Sequence, residues 1–392
     1  MRVRLIYRNY KPIHKIYKSM IDNPPQGVEY IVSKPRTYLR FLYHLFHKYG
    51  SFGIVSTLIN KTQNVLFNSS ISFEDDIDLV QYAQRIPPIK ASLPYVVDFS
   101  HAAALASYTS LNDKLRKKII DFLLDKNCKK VIPTSEAAKK TLKILFKKDY
   151  IRFKSKVEVV YPAVPNYYKI YKESVDYSII QNEPNTLKIL FVGNNAYRKG
   201  LHELLEAFSY LEKKFNIKLF IIISDLHKKL KNKYRSKNII YLKPKYPKEE
   251  IIRKFFIPAD LFVLPTHADL FGLVFLDAIS SGTPVITTNQ YATPEIVSDD
   301  YTGLFVKSNR LLLEEKPLLD IGKYNDFTVR IKSIEKTLVQ DLIKQISRVC
   351  IDKELLKRMS HNAIKTFNKT NKFSIRTRNK KLFKIYKEAL QS

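Results

Sequence analysis

Residues 259–306 read ADLFVLPTHADLFGLVFLDAISSGTPVITTNQYATPEIVSDDYTGLFV, and the fold can be worked out from this stretch. The apolar run Leu261–Leu264 has the length of a buried strand, and Val285 and Ile286 begin another. Between them lie a loop, a helix opening at Gly272 and a Gly282-Thr283-Pro284 turn. Strand, loop, helix, turn, strand is the repeating unit of a parallel α/β sheet. Asp269 and Asp277 stand eight positions apart, with Phe271-Gly272-Leu273 between them. A helix that opens on glycine presents backbone N–H groups to an anion or polar ligand and lets that ligand approach closely. Asp269 precedes the helix, where its charge suits the positive end of the dipole. Carboxylates accept paired hydroxyl hydrogen bonds, the pattern a sugar or a ribose offers. Taken singly, either aspartate also reads as a cap or a solvated helix residue.

A second stretch has the same build. Residues 187–208 read LKILFVGNNAYRKGLHELLEAF. Ile189–Val192 is a short apolar run ending at Gly193, and Leu201, Leu204, Leu205 and Phe208 recur with helical period after Lys199-Gly200. Arg198 and Lys199 at a helix start suit a phosphate, since arginine forks to two oxygens and lysine adds a point charge. In isolation the same residues read as a basic surface loop, and the glycine–lysine spacing of a P-loop is absent.

Together the two stretches resemble the retaining GT-B glycosyltransferases, glycosyltransferase family 4 (group 1) in particular. The resemblance runs from Asp269 through Phe271-Gly272-Leu273 and Asp277-Ala278 to Gly282-Thr283-Pro284-Val285-Ile286, with aspartate at both positions where the family has glutamate. Lys199 matches the family lysine, while Asn194 stands where the family has arginine, and Arg198 is the candidate to replace that guanidinium. The resemblance implies two doubly wound Rossmann-like domains facing a central cleft. It also implies that Gly193, Arg198, Lys199, Phe271, Gly272, Leu273 and Asp277 bind a nucleoside-diphosphate sugar, with Asp277 on the ribose. Lys199 and Asp269 would act on the reacting sugar and its leaving group. It covers the second half of the chain closely and the first half in patches, at 77–105, 131–142 and 157–165. The family's glycine-rich loop after the first strand has no counterpart in RNYKPIHKIYKSM.

Composition narrows the class. A chain of 392 residues is too long for one ordinary core, so two domains are expected. We place an acceptor-side domain at 1–175, a linker within 166–186, a donor domain at 187–373 and a returning C-terminal helix at about 374–392. Lys+Arg of 68 against Asp+Glu of 37 gives +31, which calls for an anionic partner: a phosphorylated substrate, an acidic membrane surface or nucleic acid. No zinc-finger, RNP or basic-zipper pattern supports nucleic acid. Two distant cysteines, Cys128 and Cys350, fit a reducing cytoplasm and offer no metal spacing.

In the first half, RVRLIY (2–7) reads as a strand, as do parts of 77–86, 94–105, 131–142 and 157–165. Thr134 or Ser135 can cap a helix after the fourth of these. His101 follows PYVVDF at the mouth of a parallel sheet, with Asp98 three residues away to orient it. The resemblance makes His101 a candidate for the donor sugar, and a capping role is the plain alternative. His267 lies beside Asp269. The segment 36–49 carries Tyr38, Phe41, Leu42, Leu45 and Phe46 between basic residues, a pattern that suits either packing on the sheet or an anionic membrane interface.

These readings converge on a metal-independent, cofactor-free glycosyltransferase. The expected donor is a UDP-, GDP- or other NDP-sugar, and the acceptor a glycan or lipid-linked hydroxyl. The expected location is the cytoplasm, peripheral to the inner face of the cell membrane. A GT-B sugar-nucleotide 2-epimerase and a non-enzymatic basic binding protein are the alternatives.

Overall fold

The computed structural model describes residues 1–7, 14–32, 76–86, 92–107, 111–224, 226, 228–312, 321–369 and 372–391. They divide into two compact units, Met1–Pro162 with Ile375–Ser392, and Ala163–Ser374. The 36–49 segment and its membrane reading lie outside the described residues.

The first unit is a five-stranded parallel sheet in the order β2-β1-β3-β4-β5. Its strands are β1 (Arg2–Ile6), β2 (Glu29–Val32), β3 (Leu79–Ala83), β4 (Tyr95–Phe99) and β5 (Cys128–Pro133). Strands β3 and β4 are buried at every position, as near-continuous apolar runs in a covered parallel sheet should be. Helices α1 (Lys15–Asp22), α2 (Asp113–Leu124) and α3 (Glu136–Phe146) belong to this unit, as does the C-terminal helix Ile375–Gln391. That last helix is fastened by Arg378, which donates to Ser19 Oγ at 2.9 Å and to the Asn23 carbonyl at 2.7 Å. Under it runs a buried polar chain. The Tyr386 hydroxyl donates to Gln81, Gln81 Nε2 donates to Asp98 Oδ2 at 2.6 Å, and the Tyr17 hydroxyl donates to Asp98 Oδ1. Burial pushes the Asp98 carboxyl up to about 6, against the pull of Tyr17 and Gln81.

The expected strand over 157–165 is not one. Val157 and Val164 make isolated bridges, to Val131 and Ser374, and Pro162 and Pro165 have no N–H to extend a ladder. The stretch 166–186, which loses its hydrophobic period in the sequence, packs within the second unit through buried Tyr167 and Ile180.

The second unit is a six-stranded parallel sheet in the order β11-β10-β9-β6-β7-β8. Its strands are β6 (Leu187–Val192), β7 (Ile217–Ile222), β8 (Ile239–Leu242), β9 (Leu261–Leu264), β10 (Val285–Thr288) and β11 (Gly303–Val306). Helices α4 (Leu201–Leu211), α5 (Leu273–Ser280), α6 (Ile321–Arg330), α7 (Lys336–Ile351) and α8 (Lys353–Lys369) complete it. Helix α4 buries Leu201, Leu204, Leu205 and Phe208, the period read from the sequence. The strand order reverses between β6 and β9, and at such a switch point the loops leaving the strand ends diverge and open a crevice. No helix among the described residues is long and apolar enough to cross a membrane.

Candidate active site

The loops that leave β6 and β9 meet at this switch point. Gly200 ends the first loop at φ 69°, and a Cβ there would stand 2.1 Å from the Pro265 carbonyl oxygen. Glycine is required on both counts: the left-handed backbone and the direct contact between loops. Three further bonds tie the loops together. His267 N donates to the Arg198 carbonyl at 2.9 Å, Thr266 Oγ1 donates to the same oxygen at 3.2 Å, and Arg198 Nη1 donates to the Ala268 carbonyl at 2.8 Å. Below them, Gln290 Nε2 donates to the Thr266 carbonyl at 2.8 Å from the end of β10.

This framework brings Lys199 and Asp269 together, 70 residues apart in sequence. The Lys199 ammonium donates to Asp269 Oδ2, with side chains 10% and 17% exposed. Burial, with the Arg198 charge, holds the Lys199 ammonium below the usual lysine range, and Asp269 opposes that. Gly193 lies against the Lys199 stem, where an added Cβ would be 3.4 Å from Cγ. Gly272, at φ 77°, starts α5 with no side-chain cap, and Asp269 Oδ2 lies 3.6 Å from where its Cβ would be. Leu273 is the first residue of α5, and the Phe271 ring packs edge-on to Phe373 at 6.2 Å. Lys199, Asp269, Gly193 and the Gly272 helix start therefore form one cluster.

The remaining sequence candidates fall elsewhere. Asp277 is buried on α5 and is held by Lys248, a residue that the sequence reading did not single out. Asn194 does not face this cluster; its Oδ1 accepts from Ser224 Oγ at 2.7 Å, at the end of β7. His267 points away from Asp269 into the interior, where Nε2 lies 3.1 Å from Glu203 Oε1 and Nδ1 lies 3.8 Å from Glu335 Oε2. Glu203 also faces His202 Nδ1 at 2.7 Å, so a buried imidazole–carboxylate cluster backs the β9 loop. Burial pushes the Glu203 carboxyl up, but His202 and His267 together hold it below the usual range. The glycine spacing and the Asp269 motif carried no sign of this cluster, because His202 alone adjoins Glu203 while His267 and Glu335 are 64 and 132 positions from it.

His101 belongs to the first unit, where it is buried and its Nδ1 accepts from Ala103 N at 3.0 Å, capping the short helix Ala102–Ala106. Burial pushes it down to about 4. A neutral imidazole that accepts at Nδ1 carries its proton on Nε2. Asp98 does not orient it: its two carboxylate oxygens are taken by Tyr17 and Gln81.

Residues 177–314 match the family described as glycosyl transferases group 1. They form a group 1 glycosyltransferase domain. An uncharacterized glycosyltransferase of Methanocaldococcus jannaschii is 29% identical over 126 residues, 30% of this chain and 31% of that one. The capsular polysaccharide biosynthesis glycosyltransferase CapM of Staphylococcus aureus is 31% identical over 124 residues, 30% of this chain and 32% of that one. The alignments with the first curated relatives span between 31% and 42% of those proteins' length. The crystal structure of a glycosyltransferase from Rickettsia africae matches with a TM-score of 0.69 at 16% identity, over 100% of this chain and 98% of that one. The chain has the GT-B fold, and the glycosyltransferase domain includes the Lys199–Asp269 cluster.

Proposed function

We propose that this chain is a retaining glycosyltransferase that moves a sugar from a nucleoside-diphosphate sugar to a hydroxyl of a glycan, lipid-linked or cell-envelope acceptor. One observation carries the proposal: a buried lysine and an aspartate, from the two loops of the sheet's switch point, converge beside an uncapped helix start. Lys199 would meet the diphosphate as negative charge develops on the leaving group, where a fixed cation contributes most to rate. Arg198 spends one of its five N–H donors on the Ala268 carbonyl and would bring others to the same phosphates. Asp269 and the backbone N–H groups from Phe271 to Leu273 would hold the sugar, and Asp277 the ribose. The two cations put positive charge where metal-dependent transferases use a divalent ion, which is why a metal-independent reaction is proposed. Retention rests on the family resemblance and implies front-side attack by the acceptor hydroxyl.

The staphylococcal relative's name supports an envelope-glycan acceptor. The charge of +31 supports a negatively charged surface or lipid-linked acceptor at the cytoplasmic face.

The test is a thermal-shift screen against UDP, GDP, ADP and their sugar conjugates, since a ligand specific to the folded state raises the melting temperature. A selective rise that is absent in Lys199→Ala is expected. No rise with any nucleotide would overturn the donor site and favour a basic surface-binding protein.

A further inference from the structure

Asp277 is 3% exposed on α5, yet its carboxylate is only half satisfied. Oδ2 is held by the Lys248 ammonium, and Oδ1 is buried with no hydrogen-bond partner among the described residues. Lys248 opens the short helix Lys248–Ile251 behind Pro247, and its side chain is 36% exposed. Its ammonium also lies 5.6 Å from the centre of the Tyr167 ring. A buried carboxylate needs both a counter-charge and partners for its remaining lone pairs. A single ammonium supplies the first and leaves the second undone.

We propose that Lys248 is a removable occupant of the ribose site: it neutralises Asp277 when no nucleotide is bound, and the two ribose hydroxyls of a nucleoside diphosphate displace it. This rests on the donor reading above. The chemistry favours an exchange over a shared site. A vicinal diol brings two O–H donors, one for each carboxylate oxygen, and so satisfies the Oδ1 that Lys248 leaves bare. Lys248 is exposed enough to move back into water, where an ammonium on a flexible stem is well hydrated. Binding would then break one ion pair and make two hydrogen bonds, so the pair acts as a brake on nucleotide affinity.

The test compares wild type, Lys248→Met and Lys248→Arg by isothermal titration with the ribonucleoside diphosphate that wild type prefers, and with its 2′,3′-dideoxy counterpart. Lys248→Met is expected to melt at a lower temperature when ligand-free and to bind the ribonucleotide about fivefold tighter, the upper end for one partly exposed ion pair. It should gain nothing for the dideoxy compound, and Lys248→Arg should stay near wild type. Equal or weaker ribonucleotide binding by a cooperatively folded Lys248→Met would overturn the exchange and make Lys248 a direct nucleotide contact or a bystander. An equal gain for the dideoxy compound would also overturn it. Wild type that binds no nucleoside diphosphate would instead remove the donor reading itself.

Discussion

After β4 the first unit turns into its next helix through His101, whose ring nitrogen caps the Ala103 N–H, and after β5 through Ser135, whose hydroxyl accepts from Ala138 N at 2.9 Å. After β6 and β9 the second unit makes the same passage through Gly200 and Gly272, both left-handed and neither with a side-chain cap. A helix start that carries its own cap has spent a free N–H group on itself. The Gly272 start spends no side chain on those groups, while at Gly200 the Leu201 N–H donates to the Ala196 carbonyl at 2.8 Å and the glycine lets the Pro265 loop approach. The comparison thus separates junctions that hold a sheet together from junctions that can hold a ligand. Lys199 and Asp269 stand at the second kind.

The strongest way to break this comparison is through Lys199. Lys199→Met keeps the stem that packs on Gly193 but removes the charge. Turnover should fall on the order of 10²–10³-fold, the cost of losing one preorganised charge-stabilising group. Circular dichroism should show the fold retained, and near wild-type turnover would take Lys199 out of the phosphate role.

The next effect belongs to the capped junction. His101 is depressed from its ordinary 6.5 to about 4, so between those values the unfolded chain binds more protons than the folded one. Its contribution is present above pH 6.5 and is lost as pH falls through the window, on the order of 3 kcal/mol at about 1.4 kcal/mol per pKa unit. Asp98 acts in the opposite sense. Raised from 3.8 to about 6, it costs stability as pH rises through that range. The wild-type profile should therefore be shallow between pH 4 and 6. His101→Asn keeps a good capping residue and removes the titration. Urea denaturation of the variant should show stability rising toward pH 4 relative to wild type, and parallel profiles would contradict the buried neutral imidazole.

Gly200 sharpens the contrast between the two kinds of glycine. An alanine there needs a left-handed backbone and meets the Pro265 carbonyl at 2.1 Å, whereas Gly27, at φ 76°, has nothing within 4 Å. Gly27→Ala should cost about 1 kcal/mol, the conformational term alone. Gly200→Ala should cost roughly 2 kcal/mol more, because backbone must move, and it should weaken nucleotide binding as well. Equal losses would mean that the two loops do not fix each other.

The strand ends and glycines were legible because they follow local rules. The apolar run of β6 lies at the predicted residues, and Lys199, Asp269 and Gly272 were singled out by their neighbours in sequence. What was not legible lies in side chains that meet across long stretches of chain. Lys248 occupies Asp277 from 29 residues away, and Glu203 gathers His267 and the Glu335 backbone from 64 and 132. Nothing in the period or composition around those residues marks the pairing. The 166–186 stretch was misleading for a related reason. It has no regular period, yet Tyr167 and Ile180 are buried in the second unit one residue at a time, so its packing leaves no repeating pattern.

Ser135 gives the finest test of whether capped junctions are structural only. The sequence left Thr134 and Ser135 as equal candidates, and the structure selects Ser135: its Oγ accepts from Ala138 N, while Thr134 Oγ1 is buried with no hydrogen-bond partner among the described residues. Ser135→Ala should cost about 1 kcal/mol, the usual loss for an N-cap, and Thr134→Val should cost less or stabilise, because it removes a buried hydroxyl that bonds to nothing. Neither should alter the nucleotide-induced rise in melting temperature if the donor site lies wholly at the glycine junctions. A variant of Ser135 that kept its stability but lost that rise would place a self-capped junction in the binding machinery and undo the distinction.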